Sequence, residues 1–145
     1  MEKMNRHQKI LQQLEQMKDI PPLLARITLA GVFILAGFGK IRIPHQVGEY
    51  FLSLGLPHPL LFAHLVGWTE FLIGICLLLG LFTRIAVLPL FVIMTVAILK
   101  ARIQEIHRPT DLFNLTDFLY MILAFWLLIS GPGRFSFDQR ITKKR

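Results

Sequence analysis

Cysteine is almost missing from this chain, and charge is scarce. The one cysteine, Cys76, falls inside an apolar run. It excludes an intramolecular disulfide and any multi-cysteine metal site, and reads as a small core residue. Charged residues make up only 17% of the 145, below the roughly 25% of an ordinary soluble domain. Nothing resembles a phosphate-cradling glycine loop or a hydrolase nucleophile arrangement, and no flavin, iron-sulfur or nucleotide signature is present. Four of the five histidines, His45, His58, His64 and His107, stand in or beside loops without compact ligand spacing, which argues against a metal or haem site.

What is present is apolar. Hydrophobic residues reach 54% and the mean hydropathy is +0.56, which places the chain among membrane proteins with room for one domain. The sequence pI near 10.1 does not point to nucleic acid, because the Lys and Arg residues lie in short loops and tails between apolar runs. Orientation in the bilayer and anionic lipid headgroups account for them. Residues 1–22 read as an amphipathic or flexible segment, with Leu11, Leu14 and Met17 at helical spacing and no secretory-signal pattern. Residues 23–138 form the membrane domain, and 139–145 a basic tail.

Four spans are expected, at about Leu23 to Lys40, Leu60 to Leu79, Arg84 to Lys100 and Leu112 to Ser130. Pro21 and Pro22 suit the first turn of a helix. Val47, Tyr50, Phe51 and Leu54 give the first connection an amphipathic turn of its own. Gly80 stops the second span and Thr83 is the expected cap of the third, making a tight helical hairpin. Pro89 falls inside the third span, Thr110 is the expected cap before the fourth, and Gly131-Pro132-Gly133 ends it. Ser136 to Gln139 has capping-box spacing. The expected fold class is therefore an all-α membrane protein, four transmembrane helices in an antiparallel bundle. Placing both termini in the cytoplasm puts eleven of the 16 Lys and Arg inside, as the positive-inside rule requires.

The informative residues are the charges within the spans. Glu70 sits near the middle of the second span. Its cost of about 3 kcal/mol is outweighed by twelve Leu, Ile, Val and Phe neighbours at about −0.5 kcal/mol each. Gly67 and Gly74 share its face, so a neighbouring backbone can come close and Glu70 faces protein. On the first span Arg26, Ala30, Phe33, Gly37 and Lys40 share one face. Arg26 and Lys40 either snorkel to the two interfaces or point inward toward Glu70. Asp117 is the second intramembrane carboxylate, and Lys40 or Lys100 is the expected partner of Asp117 and Glu70. Such pairs serve as a structural clamp or as a proton-relay site. Arg84 is an inner-surface residue. His64, Trp68, Phe71, Tyr120 and Trp126 are candidates for lining a groove for a flat apolar ligand such as a quinone, although aromatics in membrane helices also pack in cores or sit at interfaces.

Arg26, the Gly37-x-Gly39-Lys40 sequence, Gly55-Leu56-Pro57, Glu70 with Gly74, Gly80-Leu-Phe-Thr-Arg84 and Gly131-Pro-Gly-Arg-Phe-Ser-Phe-Asp138 resemble, in order and spacing, the DoxX family of small prokaryotic membrane proteins. The resemblance implies a four-helix protein of the inner membrane. It also implies an anchoring or quinone-facing subunit of a redox or stress-defence system, with a redox partner protein and quinone as the cofactor class. Two alternatives stay open: a permeability or transport module formed by a homo-oligomer, and a structural helper of another membrane complex.

Overall fold

In the computed structural model of the protein, residues 6–142 are described, and among them there is helix and turn but no strand. Met1–Asn5 and the basic end Lys143–Arg145 lie outside the described residues. Helix α1 spans Arg6–Gln16 and leaves Ile10 and Leu14 exposed, as is Met17 just beyond it. Helix α2, Ile20–Arg42, begins at Asp19 with prolines in its first turn and ends with Lys40 and Arg42, cations at the negative end of the helix dipole. Pro44 then breaks the chain direction and opens α3, Pro44–Ser53.

Helix α4 runs Pro59–Leu79 and stops at Gly80, whose φ of 68° is left-handed. There the Leu81 N–H donates to the Cys76 carbonyl at 2.8 Å and the Gly80 N–H to Leu77 at 3.2 Å, the Schellman ending that glycine allows. Helix α5, Thr83–Ala97, follows at once, carries Pro89 inside it, and continues through a π turn, Ile98–Arg102, and a 3₁₀ turn, Ile103–Glu105. A second 3₁₀ stretch, Pro109–Asn114, leads into α6, Thr116–Ser130. The short α7, Phe137–Thr142, closes the described chain.

At 1.5 Å per residue α2 and α4 are about 34 and 31 Å long, enough for a hydrocarbon core of about 30 Å. The run Thr83–Glu105 is equally long and apolar, so three helices have the length and composition to cross a membrane. The fourth expected span differs: its α-helix has 15 residues, about 22 Å. Pro109 and Asn114 divert the residues before Thr116 into 3₁₀ turns. Leu115 is the residue preceding α6, and Thr110 lies inside the turn, where it caps nothing. Asp111 serves as the local cap instead, accepting the His107 and Arg108 N–H groups at 2.9 and 2.7 Å.

The core is shared by four helices: Leu29 and Phe33 from α2, Ile73 and Leu77 from α4, Val87, Leu90 and Met94 from α5, Ala124 and Leu127 from α6. Around it, large apolar side chains face outward, among them Leu35, Leu72, Val92 and Ile129. An outer shell of this kind is a surface for lipid chains, not for water. In that solvent helices associate by close packing, and α2 against α4 is the most extensive contact. A methyl group on Gly37 would collide with the Phe71 amide and come within 2.7 Å of the Gly67 carbonyl. One on Gly74 would come within 2.8 Å of the Ile34 amide, while Gly67 lies against Lys40 and Ile41. The glycine-flanked face of α4 thus meets the small-residue stripe of α2, and positions descend along α4 as they rise along α2.

Candidate functional site

Two buried charges sit toward opposite ends of the α2–α4 contact. Arg26, on the second turn of α2, is 1% exposed. The guanidinium does not point at Glu70. Its Nε donates to the Leu77 carbonyl at 3.0 Å and one terminal nitrogen to Leu78 at 3.2 Å, both at the end of α4. The other terminal nitrogen donates to Pro132 at 2.8 Å and Phe135 at 3.2 Å. The reason is local: α4 and α6 both end at positive-φ glycines, Gly80 and Gly131, leaving carbonyls without helical partners. Arg26 is the donor that reaches the end of α4 and the segment after α6. Gly80 must be glycine for a second reason, since a methyl group there would lie 2.6 Å from the guanidinium.

The segment after α6 completes this end. Asp19 accepts the Arg134 N–H at 3.1 Å and pairs with its guanidinium at 3.6 Å. Asp138 accepts the Phe82 and Thr83 N–H groups at 2.7 and 3.0 Å, and its own N–H donates to the Gly80 carbonyl at 3.1 Å. The cap of α5 is therefore the carboxylate of Asp138, brought back from far along the chain, and not the Thr83 side chain. Thr83 is the first helical residue, and its buried hydroxyl has no hydrogen-bond partner. The Asp138 bonds also hold Phe82 at a φ of 48°, a left-handed conformation that costs a non-glycine residue about 1–2 kcal/mol. Arg84 donates to the Ile129 carbonyl at 3.4 Å, near the end of α6. Ser136 accepts the Gln139 N–H at 3.3 Å, as its spacing suggested.

At the other end Lys40 pairs with Glu70 at 2.5 Å. Lys40 reaches this carboxylate because Gly67 lets α2 settle beside α4 one turn away from Glu70, with the Lys40 Cβ in contact. Neither snorkelling nor a reach from Arg26 describes the arrangement. Asp117 lies in the first turn of α6. Its direct partner is neither Lys40 nor Lys100 but Arg102, at 3.3 Å; Arg102 also binds Glu105 at 2.9 Å. Lys100 is exposed. The π turn explains the change, because its wider winding alters which residues of the α5 end turn toward α6. Arg102 was the residue missing from the sequence reading. Its i,i+3 spacing to Glu105 was the available signal.

The aromatic candidates divide. Trp68 packs edge-on to Phe71, with ring centres 6.3 Å apart, and Phe71 lies 6.3 Å from Phe38. The Arg42 guanidinium stands 5.6 Å over the Phe38 ring. Trp68 and Phe38 are each about half exposed. Tyr120 instead packs edge-on to Phe33 at 5.9 Å, beside the core, and His64 is exposed on α4. His64, Trp68 and Tyr120 therefore do not form one groove. The aromatic surface is built from Phe38, Phe71 and Trp68, on the flank of the α2–α4 contact away from Glu70.

The DoxX family model matches residues 22–102, from the start of α2 through the π turn. The chain belongs to the DoxX family. An uncharacterized membrane protein of Mycobacterium tuberculosis is 33% identical over 138 residues, covering 86% of this chain and 84% of that one. The inner membrane proteins YphA and YqjF of Escherichia coli are 34% and 31% identical over 123 and 134 residues. They cover 81% and 90% of this chain and 88% and 99% of their own lengths. No solved structure matches. With three long apolar helices, this DoxX chain is a multi-pass protein of the prokaryotic inner membrane. Of the motifs that carry the resemblance, Arg26, Gly80 to Arg84 and Gly131 to Asp138 meet at one end of the fold. Lys40, Glu70 and Gly74 belong to the α2–α4 contact.

Proposed function

We propose that this DoxX protein is a four-span antiparallel bundle with both termini cytoplasmic, which anchors a redox or stress-defence partner and offers it a quinone-facing surface. α6 acts as the fourth span, lengthened by the apolar residues Leu112 and Phe113 before it. The observation that carries the quinone reading is the pair of half-exposed rings, Phe38 and Trp68, each packed on Phe71, with Arg42 over Phe38. Flat rings favour stacking of a flat ligand, and a guanidinium offers N–H donors to a carbonyl oxygen. A quinone bound there supplies electron-carrier chemistry. The chain's own part is to bind and orient it at the lipid face.

The test uses the full-length Trp126→Phe protein in lipid nanodiscs, where Trp68 is the only tryptophan. A short-chain quinone should quench its fluorescence saturably, and Arg42→Met should weaken the apparent affinity several-fold. Quenching that rises linearly with quinone and ignores Arg42→Met would reduce the effect to partition into lipid and overturn the reading. The oligomeric transport module is the second reading. It is favoured by the charged residues at the Glu70 end, and it requires a stable homo-oligomer after gentle purification.

A further inference from the structure

The charges that begin at Glu70 form a graded series. The Glu70 side chain is 3% exposed, those of Asp117 and Lys40 23% and 26%, and those of Arg102 and Glu105 47% and 52%. Within the series Lys40 binds Glu70, and Arg102 binds both Asp117 and Glu105. The series starts about half-way along α4 and ends in the turn beyond α5. It has no continuation toward Arg26. There the bundle is filled by Leu29, Ala30, Phe33, Ile73 and Leu77, and Arg26 itself is committed to backbone carbonyls.

We propose that Glu70 is a proton-exchange site open to water at the Arg102 end of the bundle and closed at the Arg26 end. The carboxylate takes its proton from the Lys40 ammonium, which regains one from water at that end, and the return runs the same way. For each proton taken up, an N–H bond of Lys40 breaks as the Glu70 O–H bond forms, and the amine regains an N–H bond from hydronium. The Glu70 carboxyl is buried with the Lys40 ammonium beside it. The groups facing it are few. Lys40 from α2 is in contact with it, whereas Asp117 of α6 is bonded to Arg102 and Tyr120 packs on Phe33. Helix α5 has no titratable residue between Arg84 and Lys100, and on α3 His45 and Glu49 are exposed. Because the route ends at Glu70, this is an exchange site and not a path across the membrane. It does not rest on quinone binding.

Infrared difference spectra of the full-length protein in nanodiscs, taken between alkaline and acidic buffer, test the proposal. A protonated-carboxyl band should grow with acid and be lost in Glu70→Gln; a band unchanged by that substitution overturns it. Sidedness is read independently in a Cys76→Ala background with a membrane-impermeant thiol reagent. His107→Cys reports the Arg102 end and Lys18→Cys the opposite end. Lys40→Cys should be modified from the His107 side alone. Modification from the Lys18 side, or from neither, would overturn the proposal even if Glu70→Gln failed to fold.

Discussion

Arg26 and Glu70 are both charges buried on the α2–α4 contact, yet they are held by different kinds of partner. Arg26 is bonded to four backbone carbonyls from two distant parts of the chain. Two of those carbonyls belong to the last turn of α4 and two to the main chain that follows α6, so this end behaves as a rivet. Glu70 is held by the side chain of Lys40, with Asp117 and Arg102 beyond it, on rotatable stems that reach toward solvent. A charge fixed by backbone has one state, whereas a charge paired with side chains can gain or lose its partner. The difference assigns stability to one end of the molecule and responsiveness to the other.

The comparison can be broken most forcefully at Arg26. Lysine keeps the charge but offers its donors from a single point. With net hydrogen-bond contributions of about 1 kcal/mol each, Arg26→Lys should lose about 3–4 kcal/mol of stability, read by unfolding in detergent. Next comes the contact between the two ends. Gly37→Ala should cost about 2 kcal/mol, because its methyl meets backbone and not a movable side chain. Gly39→Ala, where the space is open, should stay within about 0.5 kcal/mol of the parent. Asp138→Ala removes the cap of α5 and should cost about 1–2 kcal/mol, sharpening the claim that the segment after α6 secures the Arg26 end. An effect of the opposite sign is expected at Thr83, whose buried hydroxyl lacks a partner. Thr83→Val should raise stability by about 1 kcal/mol, seen as a higher melting temperature.

How legible these features were depended on sequence distance. The stripe from Arg26 to Lys40 and the Gly67, Glu70, Gly74 face follow from helical spacing. They meet as expected because small residues on both sides permit close approach. Gly80 as a helix stop is equally local. The partners were not local. Asp138 caps a helix that begins 55 positions earlier, and spacing alone assigned that task to Thr83. The carbonyls that engage Arg26 become available only where two helices end together at positive-φ glycines. A donor at the matching depth of α2 was a usable clue. Arg102 displaced Lys100 as the partner of Asp117 because a π turn broke the 3.6-residue count on which the reading relied. The shortening of the fourth helix came from Pro109 and Asn114, whose turn preferences prevailed over the apolar residues between them.

The central claim is that Glu70 is held by Lys40 while Arg26 belongs to the backbone, and paired double-mutant cycles test it most directly. Unfolding free energies would be measured for Glu70→Gln combined with Lys40→Met, and for Glu70→Gln combined with Arg26→Lys. The account predicts a coupling of about 1–2 kcal/mol for Lys40 with Glu70, and none beyond error for Arg26 with Glu70. Coupling between Arg26 and Glu70, with Lys40 and Glu70 additive, would contradict it.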